Sequence, residues 1–152
     1  NVSQQEKKAA DSLNFVLESL TREIRLGSNY YSGSNTDANS GTASNGEILT
    51  VDTSLTYLVG LDAADGRGYM IYYLQNGILY RRRITTTTDI TDPLTDPSDV
   101  YIEKARFRVM NAQDPADLKQ PLVWLQFLSY PNGREDSKKI IQTLVSQRLL
   151  DV

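Results

Sequence analysis

Three groups of polar residues have types and spacing that chemistry could use. Asp37-Ala-Asn39, and Asp62 with Asp65-Gly66, offer oxygen ligands of the kind that hold calcium. Neither completes a calcium-loop pattern, and no bidentate glutamate falls at the right distance. Asp, Asn and Gly are also the ordinary residues of turns. Arg81-Arg82-Arg83 is the third group, a basic run with Tyr72 and Tyr80 nearby. On a strand its side chains point to alternate faces. A basic strand beside aromatics can bind single-stranded nucleic acid. The competing reading pairs these arginines with Asp89, Asp92, Asp96 or Asp99 and makes a soluble sheet surface. The formal charge of −3 favours pairing, and nucleic acid is not expected as a partner. No nucleophile motif, paired carboxylates or glycine-rich phosphate loop stands out.

Two absences narrow the chemistry further. The chain has no cysteine and no histidine. Disulfides, zinc thiolates and thiol nucleophiles are therefore excluded, as are imidazole bases and metal ligands. The chain reads as non-enzymatic, with no cofactor. Its 152 residues are about one domain's length. No apolar run is long enough to span a bilayer. The sequence opens at Asn1 inside a helical pattern, which places the expected natural N-terminus further upstream.

The elements that must position any site begin with residues 3 to 26. Ala9, Leu13, Val16, Leu17, Leu20 and Ile24 recur at three- and four-residue steps and share one helix face. Phe15 and Leu26 sit beside that face. Glu6, Lys7, Lys8, Asp11 and Glu23 make the polar side, and Glu18 precedes Arg22 by one turn. Gly27 ends the helix, with Arg25 in its last turn. Residues 28 to 47 are rich in Gly, Ser, Asn and Thr and read as a flexible loop. Tyr30 and Tyr31 are its bulky residues and candidates for surface binding.

From Ile48 the apolar period becomes two. Leu55, Tyr57, Val59 and Leu61 alternate as a strand, and Asp62 to Gly68 is a turn. Tyr69 to Leu74 and Ile78 to Ile84 flank Asn76-Gly77, a strong hairpin signal. A two-residue turn sets Tyr73 opposite Tyr80, Tyr72 opposite Arg81 and Met70 opposite Arg83. Arg81 and Arg83 are expected in solvent beside Tyr72, and all three are candidate surface-binding residues. Thr85 to Asp99 reads as a crossing loop. Ala105, Phe107 and Val109 alternate with Arg106 and Arg108 in a half-exposed strand. Asn111 to Pro121 is a loop. Leu122 to Tyr130 is apolar on both faces, as in a central strand. Pro131-Asn132-Gly133 turns the chain. Ile140, Ile141, Leu144, Val145, Leu149 and Leu150 fit a helix by periodicity, capped by Asp136 or Ser137.

The run Leu13-Asn-Phe-Val-Leu-Glu-Ser-Leu-Thr-Arg-Glu-Ile-Arg-Leu-Gly27 resembles the second half of the long helix of type IV pilin-like proteins. It is closest to minor pilins and minor pseudopilins of the J or W type. Thr143-Leu-Val-Ser-Gln-Arg-Leu-Leu-Asp151 resembles the end of that group. The order of parts between, with Tyr80-Arg81-Arg82 and then Asp99-Val-Tyr-Ile102 before Phe107, is also similar. The resemblance implies an α+β fold, with a long N-terminal helix packed on an antiparallel sheet. It divides one headpiece domain, residues 1–152, into spine helix 1–27, loop 28–47 and β region 48–152. It also implies a strand for Lys139 to Arg148, against the helical periodicity.

A structural subunit follows from that resemblance. It would prime, cap or decorate a type IV pilus or a type II secretion pseudopilus, with motility, adhesion, DNA uptake and secretion all within range. Its partners would be other pilin or pseudopilin subunits. It would be held in the inner membrane before assembly and stand at the cell surface afterwards. The family's cleavage site and the apolar half of its helix are not in this sequence. Leu13, Val16, Leu17, Leu20 and Ile24 would face the sheet. Lys7, Lys8, Asp11, Glu18, Arg22 and Arg25 would contact neighbouring subunits. The alternative is a free-standing extracellular adhesin that uses the 28–47 loop and the tyrosine-rich sheet.

Overall fold

A computed structural model describes residues 2–26, 28–33, 45–46, 48–52, 68–85, 88–110 and 122–147. Helix α1 spans Val2–Leu26, about 37 Å at 1.5 Å per residue. Ala9, Leu13, Val16, Leu20 and Ile24 are buried along it, and Leu17 is partly buried. These are the positions that the three- and four-residue spacing selects. Burying a large aliphatic such as Leu20 or Ile24 is worth about 2 kcal/mol.

Nine strands follow among the described residues: β1 (Ser28–Gly33), β2 (Asn45–Gly46), β3 (Ile48–Asp52), β4 (Gly68–Gln75), β5 (Ile78–Thr85), β6 (Asp89–Pro93), β7 (Val100–Met110), β8 (Leu122–Pro131) and β9 (Lys139–Ser146). Their pairings are all antiparallel. They form a five-stranded sheet, β1-β3-β4-β5-β6, and a four-stranded sheet, β2-β7-β8-β9. The class is therefore α+β. Helix α1 lies on the four-stranded sheet, against β7, β8 and β9. One core joins the helix face to Ala105, Phe107, Val123, Leu125, Phe127 and Val145, and to Leu49, Val51, Met70, Tyr72 and Leu79 of the other sheet. Phe107 and Phe127 meet edge to face at 6.1 Å, a favoured aromatic geometry.

The β4–β5 hairpin has the register that its turn dictates. Tyr73 opposes Tyr80, Tyr72 opposes Arg81 and Met70 opposes Arg83. Asn76 and Gly77 both take positive φ, 51° and 78°, as a type I′ turn requires. This tip also joins the two sheets. The Ile102 N–H donates to the Gly77 carbonyl at 3.0 Å. A Cβ on Gly77 would stand 2.1 Å from the Tyr101 ring, so only glycine fits there.

Two readings need correction. Ser28–Gly33 is not loop but strand, paired with β3, and Asn45–Gly46 pairs with β7. Both are polar segments without alternation, and their backbones are held by a neighbour's ladder. Within Thr85 to Asp99, Asp89–Pro93 is a strand on the edge of the five-stranded sheet. Its residues are mostly exposed, so it carries no apolar signature. The tail is strand from Lys139 to Ser146, as the resemblance implied and against the helical periodicity. Ile141 and Val145 turn inward and Ile140 and Leu144 outward, and apolar residues on both faces imitate helical spacing. The strand read at Leu55–Leu61, the turn residues Asp62–Arg67, the loop at Asn111–Pro121 and residues 34–44 lie outside the described residues.

Strand β8 is interior, between β7 and β9, but its faces differ. Val123, Leu125 and Phe127 are buried, whereas Trp124, Gln126 and Leu128 are half-buried on the face away from the helix.

Candidate assembly surface

The helix is fixed to both sheets before its outer face can present anything. Its apolar stripe rests on the four-stranded sheet, and Glu23 reaches the five-stranded one. The Glu23 carboxylate accepts hydrogen bonds from the Tyr72 hydroxyl and from the Arg81 guanidinium. The Arg81 and Glu23 side chains are only 14% and 16% exposed, and Tyr72 is fully buried. Cross-strand register puts Tyr72 beside Arg81, so one carboxylate serves both. Burial, and then the Glu23 charge, hold the Tyr72 phenol well above its ordinary pKa. The Arg81 Nε is buried without a hydrogen-bond partner. Removing Glu23 would therefore leave a cation uncompensated in a low-dielectric setting.

This clasp corrects three assignments. Tyr72 is a core residue and offers no surface. Arg81 points inward to the helix rather than into solvent. Glu23 belongs to the helix–sheet contact and not to the free polar side. On a helical projection Glu23 sits at the border of the apolar stripe, next to Leu20 and Ile24. Only knowledge of Arg81's position could have selected it. Arg83 is exposed. Arg82 pairs with Asp89 through two contacts of 2.8 and 2.6 Å, as the pairing reading expected. That contact lowers the Asp89 pKa. The backbone of Tyr30 and Tyr31 lies in β1, and their side chains are outside the described residues.

The outward face of α1 carries the six predicted contact residues. Lys7, Lys8, Asp11, Glu18, Arg22 and Arg25 are all exposed. Phe15, read as lying beside the core face, is 66% exposed among them. Glu18 and Arg22 form no ion pair within 4 Å among the described residues. Glu18, Arg22 and Arg25 come together instead along an open groove of about 840 Å³, with Asn14, Leu17, Thr21 and Thr143. It runs between the helix and β9, the last strand of the four-stranded sheet among the described residues. Lys7, Lys8 and Asp11 lie nearer the N-terminus and do not line it.

From Ser3 onward, the first buried helix residue is Ala9. Ser3, Gln4, Gln5, Lys7 and Lys8 before it are exposed, and Glu6 is half-buried, 3.5 Å from the Ser137 hydroxyl. Two N-terminal turns thus extend beyond the core. Among the described residues no helix is long and apolar enough to cross a membrane. The described residues also contain no cluster of three or more acidic side chains placed to hold a metal ion. The calcium candidates Asp37, Asn39, Asp62 and Asp65 are outside them. No protein-family model, curated protein or solved structure matches the chain.

Proposed function

We propose that the chain is a subunit headpiece of a type IV pilin-like filament, a minor pilin or pseudopilin whose helix packs against neighbouring subunits. The observation that carries this reading is the division of α1 into two surfaces. Leu13, Val16, Leu20 and Ile24 are sealed inside the domain, while Phe15 stands 66% exposed on the charged outer side. A helix that served only its own fold would gain nothing from an exposed phenylalanine there. An aromatic anchor ringed by charges is the pattern of a protein contact. The N-terminal turns that extend past the core support the same reading, as does the groove beside Glu18, Arg22 and Arg25. The alternative of a free-standing module on a tyrosine-rich sheet is weaker, because Tyr72 belongs to the core.

The test is to express the protein, epitope-tagged, from its own gene in its source cells. Surface filaments would be sheared off and the filament and soluble fractions probed. The tag is expected in the filament fraction, in amounts that fall at high salt. Recovery only as a free, unassembled protein would overturn the proposal.

A further inference from the structure

We infer that the outer face of the four-stranded sheet docks onto the acidic edge of a second copy of this chain, around β6, in a head-to-tail contact. The register of β7, β8 and β9 builds that face in rows. Arg108, Trp124 and Leu144 form one row, Arg106, Gln126 and Gln142 the next, and Lys104, Leu128 and Ile140 the third. Residues two apart on a strand stand about 6.7 Å from one another on the same side. The face is therefore a basic stripe beside an apolar one. Ile140 and Leu144 are 63% and 56% exposed, and Lys104, Arg106 and Arg108 are exposed as well. Four other cations are paired: Arg81 with Glu23, Arg82 with Asp89, Arg134 with Asp136 and Lys138 with Glu103. Lys104, Arg106 and Arg108 form no such ion pair among the described residues. Their charge is thus open to an acidic partner.

The chain offers that complement elsewhere on its own surface. Strand β6 is the last strand of the other sheet. It presents Ile90, 50% exposed, beside Arg83 in the register, with half-buried Asp92 two residues on, followed by exposed Asp96 and half-buried Asp99 in the turn to β7. Three carboxylates and one exposed aliphatic match three cations and an apolar stripe. Asp96 accepts hydrogen bonds from the Ser98 N–H and hydroxyl at 2.9 and 2.7 Å, which holds that turn in shape. The two patches are different surfaces, so each copy keeps one of each free. Such heterologous contacts propagate and do not close into a dimer, unless the rotation makes a ring. The contact goes beyond the helix-mediated packing proposed above and does not depend on it.

The test uses residues 1–152 in sedimentation velocity across concentration and salt. Self-association into open-ended species is expected, weakening as salt rises. Arg106→Glu/Arg108→Glu should weaken it at least tenfold, and so should Asp92→Arg/Asp99→Arg, which leaves the Asp96–Ser98 turn intact. Mixing the two reversed variants should restore it, because each then supplies the charge the other lacks. Leu144→Asp probes the apolar stripe independently, and circular dichroism confirms that each variant is folded. A chain that is monomeric throughout, or association that survives both reversals, would overturn the inference. So would binding of a single-stranded oligonucleotide through Arg106 and Arg108 without self-association. Failure here leaves the filament reading standing, since that reading rests on Phe15 and the helix.

Discussion

Two basic strands of this molecule behave in opposite ways. In β5 three arginines are consecutive, so the pleat sends Arg81 and Arg83 to one face and Arg82 to the other. Arg81 finds Glu23 under the helix and Arg82 finds Asp89 on the neighbouring strand. In β7 the cations alternate with Ala105, Phe107 and Val109, so Lys104, Arg106 and Arg108 share the solvent face while the apolar partners fill the core. The first arrangement fastens the fold together. The second leaves charge available for another molecule. The number of basic residues does not separate the cases; their parity on the strand and the presence of acidic neighbours do.

The contrast can be broken most sharply at the clasp. Glu23→Ala should cost about 3 kcal/mol in urea unfolding, because it strands the Arg81 charge in a mostly buried site. The double variant Glu23→Gln/Arg81→Met should cost distinctly less than Glu23→Ala, which marks the pair as coupled. Gly77→Ala should cost about 2–3 kcal/mol, through positive φ and the clash with Tyr101. Gly133 also has positive φ, 76°, but nothing lies within 4 Å of its added Cβ. Gly133→Ala should therefore cost only about 1 kcal/mol. The difference between the two glycines measures the contact between the sheets.

Tyr72→Phe sharpens the comparison through pH. At neutral pH it should cost about 1.5 kcal/mol for the lost bond to a carboxylate. The folded phenol titrates well above the ordinary value of 10.0. Its contribution is therefore complete below pH 10 and is lost as pH rises above that value. The urea midpoints of wild type and Tyr72→Phe should converge above pH 10. Parallel midpoints would show that the phenol is not buried beside Glu23. At the small end, Arg106→Ala/Arg108→Ala should change stability by less than about 0.5 kcal/mol, as for surface residues without partners.

Much of this was legible in the sequence where local chemistry decides. Asn76-Gly77 set the hairpin register because a two-residue type I′ turn leaves one pairing. The spacing of Leu13, Val16, Leu20 and Ile24 set the buried helix face because 3.6 residues make a turn. Other features depend on what lies across the fold. Strand β6 is polar, ends in proline and exists because β5 offers its edge. Glu23 looks like any polar helix residue until Arg81 and Tyr72 are placed opposite it. Phe15 looks like a core residue because hydrophobicity does not record which side of a helix is free. The tail shows both effects. Its periodicity pointed to helix, the resemblance implied a strand, and β9 pairs with β8 as a strand.

The two-surface helix is tested most directly by Phe15→Asp, made in the protein expressed from its own gene and compared with Leu20→Asp. Phe15→Asp should leave the urea midpoint of residues 1–152 within about 0.5 kcal/mol of wild type, yet remove the protein from sheared filaments. Leu20→Asp should unfold the domain outright, by burying a charge without a partner. A Phe15→Asp protein that enters filaments as the wild type does would contradict the assignment of the outer helix face to subunit contact.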